Sequence, residues 1–253
     1  MAWFEHGGSR IYYEVEGQGT PLLFLPGVTD SISQHSDWLS RTARDHRVIA
    51  ADLPGSGRSG PQPRRYHVTY YQDDAASFAA LLGELGVTRA HLVGFSDGGE
   101  VALMMASATP ALARSVLTWG ASGHIHDPGG QIANLFRNLF DQPIPETADW
   151  RDSLVARYGV DLARDNTRNF AEGVDAIVAA GGDVSRSRAG QIRCPVCLIA
   201  GQQDPFVHAD LLMELAEKIA TVETHVVEGA SHGVHQDRPD WFAGTLSDWL
   251  ARR

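Results

Sequence analysis

Short apolar runs, each closed by glycine or a turn, alternate along most of the chain with longer stretches of helical periodicity. The runs are Leu22–Leu25, Val48–Ala50, His91–Phe95, Ser115–Trp119, Val196–Ala200 and Thr224–Val227. Runs this continuous suit strands covered on both faces, the condition of a parallel sheet. Arg10–Glu16 instead alternates apolar with polar and follows Gly7-Gly8, which predicts a half-exposed antiparallel hairpin arm at the sheet edge. Gly17-Gln18-Gly19 lacks a following helix, so it reads as a hairpin turn rather than a dinucleotide-binding loop. Ala75, Phe78, Leu81, Leu82 and Leu85 share one face of a helix expected over 71–86. Further helices are expected over 98–108, 208–220 and 238–252. Strands alternating with helices imply right-handed βαβ units and a doubly wound, mostly parallel α/β sheet.

The alternation stops near Ser122 and resumes after Arg188. This stretch holds no buried-strand run, only polar amphipathic segments such as 149–158 and 165–177, punctuated by Gly129-Gly130 and Gly181-Gly182. An inserted helical lid over 122–185 is the simplest account, leaving 1–121 and 186–253 as the core.

Composition narrows the partners more than the chemistry. A chain of 253 residues with 43% hydrophobic and 21% charged positions suits one globular α/β domain able to bury a site. The net charge is −10, Lys218 is the single lysine, and basic residues do not cluster, so a nucleic-acid partner is not expected. The N-terminal residues show no basic stretch leading into an apolar one, and no apolar run is long enough to cross a bilayer. The expectation is a soluble, cytoplasmic protein; its oligomeric state is not legible. Cys194 and Cys197 form an isolated C-x-x-C in what reads as a buried strand, with neither a second ligand pair nor a helix start. They are expected to be two buried apolar-type thiols, not a metal or redox site.

The sharpest chemical signal is Gly94-Phe95-Ser96-Asp97-Gly98-Gly99, placed between a strand run and a helix. G-x-S-x-G in that setting is the nucleophile elbow, a tight turn that raises a serine hydroxyl above the sheet's carboxyl edge. Serine needs a base to become a nucleophile. His232, after the run ending at Val227, and Asp204, after the run ending at Ala200, lie at the same edge and follow the order Ser, Asp, His. His235 competes with His232, but Gly229 and Gly233 leave the loop of His232 free to reach inward. Asp204 could instead merely open the turn with Pro205. An oxyanion hole would take the backbone N–H groups of Val28, after Leu25-Pro26-Gly27, and of Asp97. His124-Ile125-His126 has no third ligand in sight and reads as a solvated lid loop. Neither a metal nor a cofactor is expected.

Leu25-Pro26-Gly27, Asp52-Leu53-Pro54-Gly55-Ser56-Gly57-Arg58-Ser59, the GFSDGG elbow and the GQQDP and GASH loops together resemble the α/β-hydrolase superfamily over nearly the whole chain. Within it, Ser96–Gly99, Trp119-Gly120-Ala121 and Tyr158-Gly159-Val160-Asp161 resemble the valacyclovir hydrolase, or biphenyl hydrolase-like, branch. The resemblance implies a fold with a helical lid and a cofactor-free serine esterase. It also implies that Asp97 binds the α-ammonium group of a small amino acid ester. The alternative for Asp97 is a negative residue favourable at a helix start, worth about 0.3–1 kcal/mol. Acyl or aminoacyl transfer and thioester cleavage would use the same three residues, and a receptor or cyclase pocket would use the same fold.

Overall fold

The computed structural model describes residues 2–253. In chain order the elements are β1 (Ala2–His6), β2 (Ser9–Glu16), β3 (Thr20–Leu25), α1 (Ser36–Thr42), β4 (His46–Ala51), α2 (Tyr70–Glu84), β5 (Ala90–Phe95), α3 (Asp97–Ala108) and β6 (Ala113–Trp119). There follow α4 (Gln131–Asn138), α5 (Ala148–Tyr158), α6 (Val160–Ala179), β7 (Val196–Gly201), α7 (Ala209–Ala216), β8 (Val222–Val227), α8 (Val234–Asp237) and α9 (Pro239–Ala251). Among the described residues one sheet runs in the order β1-β2-β4-β3-β5-β6-β7-β8. β2 pairs antiparallel with both β1 and β4, and the remaining pairings are parallel.

Alternation of side chains along each strand builds two cores. Leu23 and Leu25 of β3 pack on one face with α2, α3 and α6. Leu22 and Phe24 pack on the other with α1 and α9, around Trp38, Trp119, Phe242 and Trp249. This two-sided burial explains why the central strands are apolar throughout. The edge strand β8 differs, since its first four residues are half-buried and Val226 is exposed. One side of an edge strand has no neighbour to cover it. Cys194 packs in the first core and Cys197 in the second, so both thiols are buried and unbridged. Burial pushes the Cys197 thiol up to about 12, the opposite of a reactive thiolate.

Gly7-Gly8 does turn the β1–β2 hairpin, but Gly17-Gln18-Gly19 does not form one. β2 and β3 do not pair, because β4 lies between them. The three residues cross the start of β4 at close range. A Cβ on Gly17 would come within 2.1 Å of the Ala43 carbonyl oxygen, so only glycine fits.

Between β6 and β7 lie α4, α5 and α6, the helical lid, with α4 packed along α6. The lid has its own small apolar cluster of Leu139, Leu154 and Ala163. Its two ends are joined, because the Gly123 carbonyl accepts the amides of Val184, Ser185 and Arg186. No helix among the described residues is long and apolar enough to cross a membrane.

Candidate active site

Ser96 sits between β5 and α3 with φ 51° and ψ −121°, a conformation that non-glycine residues rarely adopt. Hydrogen bonds hold it there: its amide donates to the Trp119 carbonyl, and its carbonyl accepts the first helical bond, from Glu100. A side chain on Gly98 would lie 2.2 Å from the Leu25 carbonyl oxygen, so the elbow closes against β3 only with glycine.

Three loops from the same sheet edge meet at this serine. His232 Nε2 lies 2.9 Å from Ser96 Oγ, and His232 Nδ1 lies 2.8 Å from Asp204 Oδ2. The second oxygen of Asp204 accepts the backbone N–H groups of Phe206 and Val207, which fixes the carboxylate plane. A carboxylate offers only acceptors, so Nδ1 carries the ring proton and donates it to Asp204. Nε2 then presents a lone pair to the Ser96 hydroxyl. The imidazole is held against Phe95, at 5.1 Å between ring centres, and Phe206, at 4.9 Å.

His235, the rival base, is turned away. It is buried among Phe95, Trp119 and Phe242 and stacks on His35, while its Nδ1 accepts the Trp119 indole N–H at 3.0 Å. Burial, followed by the neighbouring His35, lowers its pKa from 6.5 to about 3. The folded state therefore disfavours the charged form, and a proton on Nδ1 would face a donor. Stability from this group is full above pH 6.5 and is lost as pH falls toward 3. His91, lowered to about 4 mainly by burial, acts in the same direction. The expected result is a share of the melting temperature that falls with pH below 6.5, set by His235 and His91. It is partly offset by Glu100 and Asp52, whose folded pKa values are raised to about 7 and about 6 and which gain stability as pH falls through them. Replacing His235 with Asn, which keeps an acceptor for Trp119 but cannot charge, should make that fall shallower in thermal melts between pH 4 and 7. An unchanged slope would remove His235 as a contributor.

Asp97 Oδ2 is 3.5 Å from Ser96 Oγ, and Val28 lines the same cavity, close enough for its amide to act on the Asp97 carboxylate. Asp97 itself is nearly buried, and its Oδ1 accepts the hydroxyls of Tyr71 at 2.6 Å and Tyr70 at 3.0 Å. Burial raises its pKa, against the lowering effect of Tyr71, Tyr70 and the Val28 amide.

A family model described as the alpha/beta hydrolase family matches residues 22–245. The chain belongs to the α/β-hydrolase family. It is 26% identical to mouse (Mus musculus) serine hydrolase BPHL over 257 residues, covering 96% of this chain and 84% of that protein. Its identity to a putative carbamate hydrolase RutD of Azorhizobium caulinodans is 27%, covering 94% of each chain. In three dimensions it is similar to 2-hydroxy-6-oxo-6-phenylhexa-2,4-dienoate hydrolase from Rhodococcus sp. strain RHA1, with a TM-score of 0.82 and 20% identity over 98% of this chain and 97% of that one.

As in other sites at this edge of an open α/β sheet, the α/β-hydrolase carries a cavity, here of about 620 Å³, between core and lid. Ile132, Phe136, Trp150, Leu154, Phe170 and Val174 give it an apolar lid wall, while Ser96, Asp97, Glu100 and His232 lie on the core side. His124 and His126 both line this cavity; His124 is half-buried where the chain turns under the lid, while His126 stays exposed to solvent. Glu100 escaped the sequence reading. Its carboxylate accepts the amides of Ser122 and Gly123, where the chain leaves the core for the lid, and burial raises its pKa to about 7. Its position one helical turn after Ser96 was the available signal. The tyrosine partners of Asp97 left none, being 26 and 27 residues away. Away from the cavity, Cys197, Glu223 and His225 have ligand atoms within 4.8 Å of one another. Arg252 and His225 already occupy Glu223.

Proposed function

We propose that this α/β-hydrolase cleaves small carboxylic esters, preferentially those of α-amino acids, through an acyl-enzyme on Ser96. The observation that carries the reading is the continuous contact Asp204–His232–Ser96 with a buried carboxylate, Asp97, beside the nucleophile. His232 takes the Ser96 proton as Oγ attacks the acyl carbon, and Asp204 stabilises the imidazolium. The N–H groups of Val28 and Asp97 hold the developing oxyanion. Collapse of the tetrahedral intermediate breaks the ester C–O bond, and the His232 proton goes to the leaving alcohol. Water, deprotonated by His232, then attacks the acyl-enzyme and releases the acid.

The amine preference rests on charge. An α-amino nitrogen is two bonds from the carbon that Ser96 attacks, within reach of the Asp97 carboxylate. Without a cation there, a buried negative charge stands next to the developing oxyanion. An ammonium group supplies the countercharge that burial otherwise withholds. An ionised Asp97 beside the nucleophile disfavours anionic substrates such as the dienoate named for the Rhodococcus enzyme.

The test is a panel of α-amino acid esters and matched plain acyl esters on the native enzyme and on Asp97→Asn. Loss of an ion pair inside the cavity should lower kcat/KM for amino esters by about 10²-fold, equivalent to about 2.7 kcal/mol. Plain esters should hold their rate or gain, since the uncompensated charge beside the oxyanion is removed. Equal losses on both would return Asp97 to the role of a helix-start residue. Reaction of Ser96 with a fluorophosphonate, together with burst kinetics on an activated ester, separates an acyl-enzyme from a binding pocket.

A further inference from the structure

Thr29 is the residue after Val28, and its backbone is held in the left-handed region, at φ 62°. A β-branched residue keeps that conformation only when its surroundings enforce it. The enforcement comes from two sides. From the core, Ser56 Oγ accepts the Thr29 N–H at 2.9 Å, in a turn that Asp52 anchors by accepting the amides of Ile32 and Arg58. From the lid, Tyr158 Oη donates to the Thr29 carbonyl at 3.0 Å, and the Arg157 guanidinium donates to the same oxygen. The Tyr158 hydroxyl also accepts the Gly57 N–H at 2.6 Å. One phenol therefore joins the last turn of α5, the 52–59 turn and the loop after β3.

We propose that Tyr158, assisted by Arg157, is a positioning residue that makes the Val28 amide a competent oxyanion donor only when the lid is seated. Both peptide groups after Val28 are clamped, the first by the core through Ser56 and the second by the lid. Lifting α5 to admit substrate releases the Thr29 carbonyl, and the strained residue relaxes with Val28 attached to it. Closure restores the strain and with it the aim of the amide. Tyr158 stands outside the cavity lining, so its effect on turnover is separate from substrate contact. The inference rests on the reading of Val28 as an oxyanion donor.

The experiment uses Tyr158→Phe, which keeps the ring in its packing and removes the hydroxyl. Expected is a fall in kcat of about 10-fold, with KM changed less than about twofold, equally for amino and plain esters. Affinity for an aryl trifluoromethyl ketone, which forms a tetrahedral adduct on Ser96, should fall in parallel. Amide hydrogen exchange over 27–31 should accelerate in the same variant. Unchanged kcat, a loss confined to KM, or unchanged exchange in that loop overturns the proposal. If the native enzyme hydrolyses no ester on the panel, the ester reading fails on its own, and the exchange measurement alone decides whether Tyr158 holds the loop.

Discussion

Ser96→Ala is expected to lower kcat on any substrate ester by about 10⁴- to 10⁶-fold while leaving the melting temperature close to that of the native protein. The size follows from the arrangement: among the described residues, the side chain that hydrogen-bonds His232 Nε2 is Ser96, its hydroxyl at 2.9 Å. Removing it leaves a base with nothing to activate except a loosely placed water. The backbone at 96 keeps its left-handed turn, since alanine meets the same φ of 51° as serine does and the amide to Trp119 is retained. What survives is the small rate supplied by binding and by the oxyanion amides alone. Stopped-flow and steady-state assays on an activated ester, with a circular dichroism melt alongside, measure both quantities. Turnover within tenfold of native would exclude Ser96 as the nucleophile.

Asp204→Asn should cost about 10⁴-fold in kcat, for a reason visible in the hydrogen bonds around it. The Phe206 and Val207 amides donate to one oxygen of the side chain, so an asparagine would place its carbonyl there. Its NH₂ group would then face His232 Nδ1, which could only accept. The ring proton would move to Nε2, and Nε2 could no longer take the serine proton. Geometry would be almost unchanged while the tautomer is wrong. Asp204→Ala tests the same point from the other side. It removes the tautomer constraint along with the support, so it should be no worse than Asn. A large, selective loss in Asn that Ala does not share supports the tautomer argument; full activity in both would exclude Asp204 as the orienting group.

Much of this architecture was legible because the physics is local to short windows. Six apolar runs became the six parallel-paired strands β3 to β8, and the helix expected over 71–86 is α2. The elbow was readable because glycine at 94 and 98 and a strand-to-helix switch at 96 are all within five residues. Other features were not. The helix α1 buries only Trp38 and Leu39, too few positions to set a period. The helix α4 begins directly after Gly129-Gly130, which read as a break, because the left-handed Gly130 serves as the residue before its first turn. Gly17-Gln18-Gly19 was misread because a hairpin and a tight crossing both call for glycine, and only strand order tells them apart. The environment of Asp97 was hidden for a different reason: Tyr70 and Tyr71 reach it from α2, a separate element whose docking no window of sequence contains.

The nucleophile and its base are 136 residues apart, and the carboxylate comes from a third crossover, with β6 and β7 lying between β5 and β8 in the sheet. Nothing in any single segment can rehearse this arrangement during refolding. After dilution from denaturant, helical signal should therefore return well before esterolysis, and recovery of turnover becomes a clock for the docking of the last two strands.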